Sequence, residues 1–208
     1  KMGAQTLPNR ICVPPMCCCL AREGVGSDEL IAHYEKLAAS GAGLVVIEAT
    51  AVRADGRITT RCLGLYNDEQ ERFFKRLLKA CRAVAPAETK FFLQLSHCGR
   101  KGSRKDPKTG HGTLLPEEGG FALMAPSAVA YTPQAPMPRE MTEADIDRML
   151  QAFEAAAHRA ARVGFDGIQI HAAHGYLVHQ FLSPVTNRRT DNWGGSLQNR
   201  QRFALEVV

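Results

Sequence analysis

Hydrophobic and polar positions along this chain follow two rhythms, and the switches between them mark its elements. Three stretches carry the helical period. Leu30, Ile31, Tyr34, Leu37 and Ala38 make one apolar stripe behind Ser27, a residue suited to an N-cap, with Asp28 and Glu29 favourable in the first turn. Phe73, Phe74, Leu77, Leu78 and Cys81 make a second behind Asn67, where Gln70 is placed for a variant of the capping box. Ile146, Met149, Leu150, Phe153, Ala156, Ala157 and Ala160 make a third behind Thr142 and Asp145, and Gly164 ends it. Ser196 caps a last predicted helix that runs toward Val208. Between these lie short apolar runs at Arg10 to Met16, Leu44 to Ile47, Phe91 to Leu95 and Gly167 to Ile170. Runs this short and this apolar read as strands, and the Leu44 run has the continuity of a strand covered on both faces.

Regular alternation of strand and helix implies a parallel sheet with helical crossovers, either an open doubly wound sheet or a (β/α) barrel. No G-x-G-x-x-G follows the first strand, which counts against a dinucleotide-binding unit. Polar residues collect at the carboxyl ends of the strands, where barrels build their sites, so the α/β barrel is preferred. A complete eight-stranded barrel takes about 250 residues. The 208 residues hold four strand and helix units and are expected to be the amino-terminal half of one, a single domain over 1–208 with a long excursion at about 100–138. That excursion is rich in Gly and Pro and opens on a basic cluster, Arg100, Lys101, Arg104, Lys105 and Lys108. The cluster reads as a solvated loop or as a contact for nucleotide or acyl-CoA phosphates.

Composition adds mainly exclusions. A net charge of +5 is too small to argue for nucleic acid without a basic face carrying interleaved aromatics. No apolar run approaches the roughly 20 residues of a membrane span. Seven cysteines, three of them adjacent at Cys17, Cys18 and Cys19, do not resemble a secreted disulfide framework, and a reducing cytoplasmic location is expected.

The chemistry concentrates after the fourth strand, in Gly167-Ile-Gln-Ile-His171-Ala-Ala-His174-Gly-Tyr176. Taken alone, His171 and His174 could be satisfied barrel histidines, hydrogen-bond donors to a substrate or, with His179, metal ligands. No carboxylate or cysteine stands at a companion spacing typical of zinc, so no metal site is expected. Gln94 ends an apolar strand, where a buried amide demands partners.

From Ile168 through His171-Ala-Ala-His-Gly-Tyr-Leu-Val-His-Gln-Phe-Leu-Ser-Pro-Val-Thr-Asn-Arg-Arg-Thr-Asp-Asn-Trp-Gly-Gly-Ser-Leu-Gln-Asn-Arg-Gln-Arg-Phe203, the sequence resembles the old yellow enzyme family of flavin-dependent ene-reductases. The likeness continues in Asn9-Arg-Ile, Pro15-Met16-Cys17, Glu48-Ala-Thr-Ala-Val52, Gly56-Arg-Ile58, Gln94-Leu-Ser-His-Cys-Gly-Arg-Lys101 and Ala125-Pro-Ser-Ala128, in the family's order. It is strongest toward the bacterial-type branch that includes 2,4-dienoyl-CoA reductases. The resemblance implies an FMN-containing (β/α)8 barrel in which NADPH or NADH reduces the flavin and the flavin reduces an activated alkene, an enone, enal or enoyl thioester. It implies that His171 and His174 bind the substrate carbonyl oxygen and that Tyr176 donates a proton to the alpha carbon. It places Pro15, Met16, Cys17, Ala49, Thr50 and Gln94 against the flavin, with Cys17 near the isoalloxazine and Gln94 and the Glu48-to-Thr50 strand end at its pyrimidine edge. A homo-oligomer is compatible with it.

Two departures stand out. Cys19 lies where this branch often has a tyrosine, and the family's remaining strands and phosphate-gripping loops have no counterpart in these residues. Part of a longer flavoenzyme is therefore expected; the alternatives are a flavin-free remnant acting as an interaction module, a half-barrel that pairs with another half, and a metal-dependent lyase on the same barrel.

Overall fold

The structure is a computed structural model that describes every residue from Lys1 to Val208. Strand β1 (Cys12–Val13) leads to a hairpin of β2 (Ala21–Arg22) and β3 (Val25–Gly26), helix α1 (Asp28–Ala38), β4 (Leu44–Ala51), α2 (Asp68–Val84) and β5 (Lys90–Ser96). Strands β6 (Met124–Ala125) and β7 (Arg139–Glu140) lie in the excursion, followed by α3 (Glu143–Val163), β8 (Gly167–Ile170), α4 (Leu177–Leu182) and α5 (Leu197–Val207).

The main sheet is parallel throughout, in the order β1-β4-β5-β8. Each new strand joins the same advancing edge, whereas a doubly wound sheet reverses at a switch point. Helix α1 packs on α2 and α2 on α3, so the crossover helices line one side. A one-directional sheet with helices on one side is half of a (β/α)8 barrel, as expected.

The caps are local and form where the sequence places them: Ser27, Asn67 and Ser196 each accept from the backbone N–H three residues on, and Thr142 and Asp145 close a reciprocal box. Gln70 departs from its expected role. Its side-chain oxygen accepts from Tyr66 N at 2.8 Å rather than from the cap residue, and its Nε2 donates to Glu23 O at 3.0 Å, tying the hairpin to α2. The hairpin turns on Glu23 and Gly24, both with positive φ (50° and 81°), the conformation that two-residue hairpin turns require.

Strand β1 is much shorter than the predicted Arg10–Met16, because Pro14 and Pro15 have no N–H to continue the ladder beyond Val13. Strand β4 is longer than predicted and carries a β-bulge between Ile47 and Thr50. Residues alternate across the sheet. Val45, Ile47, Phe91, Leu93 and Leu95 join the large core under the helices, while Leu44, Val46 and Phe92 form a smaller cluster on the inner face. Gly167 faces Phe92 across the ladder, and a Cβ there would come within 2.5 Å of that ring. At the start of β8, Asp166 Oδ2 accepts from Phe91 N at 2.8 Å and from Arg82 at 3.0 Å, which sets the register against β5. No helix is long and apolar enough to cross a membrane.

Candidate active site

At the carboxyl ends of β4, β5 and β8 lies a cavity of about 470 Å³ lined by Pro14, Pro15, Cys17, Ala49, Ile58, Gln94, Gln169 and the loop from Ile170 to Tyr176. Seven of the nine residues expected at the site are on its wall: Pro15, Cys17, Ala49, Gln94, His171, His174 and Tyr176. Met16 and Thr50 are not. Met16 is 55 % exposed and lies outside the wall. Thr50 is fully buried with its hydroxyl donating to Glu48 O at 2.9 Å. The bulge explains Thr50: one extra residue in β4 pairs Thr50 with the helix-facing Leu95 and leaves Ala49 at the cavity.

Backbone and side chains from three elements hold the histidine loop. His171 N donates to Leu95 O at 2.9 Å, extending the β5–β8 ladder by one residue. Its Nδ1 accepts from Ala173 N at 3.3 Å, so the ring proton belongs on Nε2. Burial, with the neighbouring His174 and Lys101, lowers the His171 pKa and favours the neutral ring. His171 meets His174 and Tyr176 edge-on, with ring centroids 5.1 and 4.9 Å apart. His174 itself takes a left-handed φ of 57°, and Lys101 Nζ donates to its carbonyl at 2.6 Å. Burial is also the main reason that the Tyr176 phenol is pushed up to about 12, which keeps it protonated at neutral pH.

Helix α4 locks the loop from below. His179 Nδ1 accepts from Gly175 N at 2.8 Å, so this nitrogen holds the turn after His174. The buried Gln180 donates to Gly175 O at 2.7 Å and Cys98 O at 3.2 Å, and its oxygen accepts from Arg100 N at 3.3 Å. Two members of the basic cluster thus brace the site: Arg100 Nη1 donates to Val129 O and Ala130 O, and Lys101 sits over the Tyr131 and Tyr176 rings.

Gln169 is the main residue that sequence reasoning passed over. It pairs with Gln94 across the ladder, and Gln94 Nε2 donates to Gln169 Oε1 at 2.6 Å. The available signal was a polar residue alternating with Ile168 and Ile170, which had to face away from the helices.

Behind the cavity, Glu48 is 1 % exposed and holds the cysteine loop: Oε2 accepts from Cys18 N at 3.1 Å and Oε1 accepts from Tyr34 OH at 3.5 Å. Desolvation outweighs these bonds and raises its pKa from 4.5 to about 7. Between those values the folded chain binds more protons at Glu48 than the unfolded chain does, so stability falls as pH rises. The expected loss is roughly 3 kcal/mol across the window. Glu48→Gln keeps an acceptor for Cys18 N and should flatten that slope; urea unfolding at pH 5 and pH 8 measures it, and an unchanged slope would assign the dependence elsewhere.

The chain is similar to known proteins along its whole length. The NADH:flavin oxidoreductase / NADH oxidase family profile matches residues 1–208, and the chain belongs to that family, the old yellow enzymes. It is 43% identical over 210 residues to an NADPH dehydrogenase of Listeria welshimeri, covering 100% of this chain and 57% of that protein. An NADH:flavin oxidoreductase of Gibberella zeae is 43% identical over 98% of this chain and 49% of its own length. Morphinone reductase superposes with a TM-score of 0.85 at 32% identity over 99% of this chain and 55% of that one. The old yellow enzyme homologue from Zymomonas mobilis gives 0.82 at 32% identity, over 99% and 56%. The chain therefore spans about half the length of these relatives.

Proposed function

We propose that this half-barrel belongs to an FMN- and NAD(P)H-dependent ene-reductase that saturates the double bond of an α,β-unsaturated carbonyl compound. The observation that carries the reading is one cavity whose wall holds His171, His174 and Tyr176 together with Gln94 and Cys17. The names of the relatives support a nicotinamide reductant, and morphinone reductase has been solved in complex with tetrahydroNAD.

The donor set suits a flavin. Because Gln94 donates to Gln169, the pair has an acceptor, Gln94 Oε1, and a donor, Gln169 Nε2, left over on adjacent strands. That combination complements an imide edge, which carries carbonyl oxygens beside an N–H. The cavity volume is within the usual range for small-molecule sites. FMN, when bound, supplies the hydride that it receives from NAD(P)H.

The chain's own residues do the rest. His171 Nε2–H and His174 donate to the substrate carbonyl oxygen and stabilise the charge that accumulates there as the β carbon is reduced. Tyr176, held protonated by burial, delivers a proton to the α carbon, and the Lys101 cation 5.1 Å from its ring supports the phenolate left behind. The full protein should purify with stoichiometric FMN and reduce cyclohexenone with NAD(P)H; a colourless protein that takes up no FMN would overturn the reading. Tyr176→Phe keeps the ring against His171 and should spare phenol binding while slowing saturated-product formation about 100-fold. Equal losses in binding and turnover would remove the proton-donor role.

A further inference from the structure

His97 is a buried imidazole to which the proposed chemistry assigns no task. It directly follows β5, is 1 % exposed, and touches three segments, two of which run to residues of the cavity wall. Its carbonyl accepts from Leu177 N at 2.9 Å, immediately after Tyr176. Its Nδ1 accepts from Gly99 N at 3.1 Å. Its Nε2 has no hydrogen-bond partner and lies 3.6 Å from Asp55 Oδ1, in the loop that leads to Ile58. Gly56 makes this approach possible, since a Cβ there would come within 2.6 Å of His97 Cδ2.

A ring nitrogen that accepts a hydrogen bond carries no proton, so the His97 proton is on Nε2 and faces the carboxylate. Asp55 is itself held by Arg53 through bonds of 2.9 and 3.0 Å. The carboxylate therefore selects the tautomer, and the tautomer keeps Nδ1 open to Gly99 N. That bond secures one tight turn, Gly99–Lys101, which begins at a left-handed Gly99 with φ 56°. The turn ends on Lys101, whose Nζ donates to His174 O at 2.6 Å and stands 5.1 Å from the centre of the Tyr176 ring. A lysine head on a flexible four-carbon stem has no fixed direction of its own, so its aim depends on the backbone that carries it. We infer that His97 is a positioning residue for proton delivery: Asp55 sets its tautomer, Nδ1 fixes the turn, and the turn aims the Lys101 cation at Tyr176. The inference rests on the ene-reductase reading and extends it to a side chain that is not on the cavity wall.

The test joins nitrogen NMR of histidine-labelled full protein to stopped-flow reoxidation of its reduced flavin by cyclohexenone. The spectrum should show His97 protonated at Nε2 and bare at Nδ1, and a proton found on Nδ1 would overturn the inference. Asparagine offers an oxygen where Nδ1 stands, and glutamine places its amide where Nε2 stands. His97→Gln should therefore slow reoxidation about 10-fold, and His97→Asn should recover most of that loss. In a Tyr176→Phe background His97→Gln should cost nothing further, because the group that it serves is gone. The same loss in both backgrounds would make His97 a packing residue and overturn the inference. If His97→Gln loses its flavin, Asp55→Asn carries the comparison: its amide no longer selects the tautomer, the rate should fall, and adding His97→Asn should restore it. Losses that add in that double variant would also overturn the inference. Failure of the ene-reductase reading would show in the wild type, whereas failure of the positioning role shows only in the His97 spectrum and the variants.

Discussion

Replacing His171 and His174 together with alanine in the full protein should slow enone reduction by about 100- to 1,000-fold, the loss that follows removal of fixed donors from a developing oxyanion. Phenol binding should weaken in parallel, because a phenolate oxygen would use the same two donors. The fold should survive. His174 is exposed, and His171 gives its side chain only to the loop it belongs to, through Ala173 N. FMN content should also persist, since Gln94 and Gln169 hold each other without the histidines. Stopped-flow measurement of enone reduction beside FMN quantitation separates these outcomes, and unchanged alkene reduction in the double variant would refute the assignment.

The second large effect concerns Arg189 and is structural. Its guanidinium is 6% exposed as a side chain and donates to Pro126 O at 3.0 Å, to Met141 O at 2.5 Å and to Asp191. Those two carbonyls directly follow β6 and β7, so one side chain pins both strands of the excursion to the loop after α4. Arg189→Met would leave two carbonyls without that partner and Asp191 without its cation. Asp191 is partly exposed, and solvent screens its share of the loss. The unsatisfied carbonyls set the cost at about 3 kcal/mol. Urea unfolding should show a lowered midpoint, and limited proteolysis should cut between 124 and 141 first. An unmoved midpoint would mean that other bonds hold the excursion.

What could be seen in the chain beforehand depended on the range of the interaction. The caps at Ser27, Asn67, Thr142 and Ser196 join residues three apart, and all four helices behind them formed as expected. Alternation of elements gave a parallel sheet but left doubly wound and barrel orders open, and the polar strand ends favoured the barrel order that forms. Thr50 failed because a bulge is a property of two strands: nothing in Glu48-Ala-Thr announces that β5 will advance two residues while β4 advances three. Gln169 was missed for a related reason, since only the ladder reveals that it stands beside Gln94. Cys17 and Met16 were placed by resemblance, and of the two only Cys17 lines the cavity. The work of Lys101, Gln180 and Arg189 lies in bonds to distant carbonyls, which no local pattern announces.

The left-handed turn at His174 has an evolutionary consequence. A histidine at φ 57° holds a backbone shape that glycine or asparagine would adopt with less strain, a difference of about 1 kcal/mol. Its ring is exposed, so little packing rewards it for staying. Drift under selection for folding alone would therefore discard this histidine before its buried neighbour His171. Under the carbonyl-binding role proposed for it, a lineage that keeps position 174 as histidine does so against the preference of its own backbone, which makes this position a more sensitive marker of that role than any core residue of the barrel.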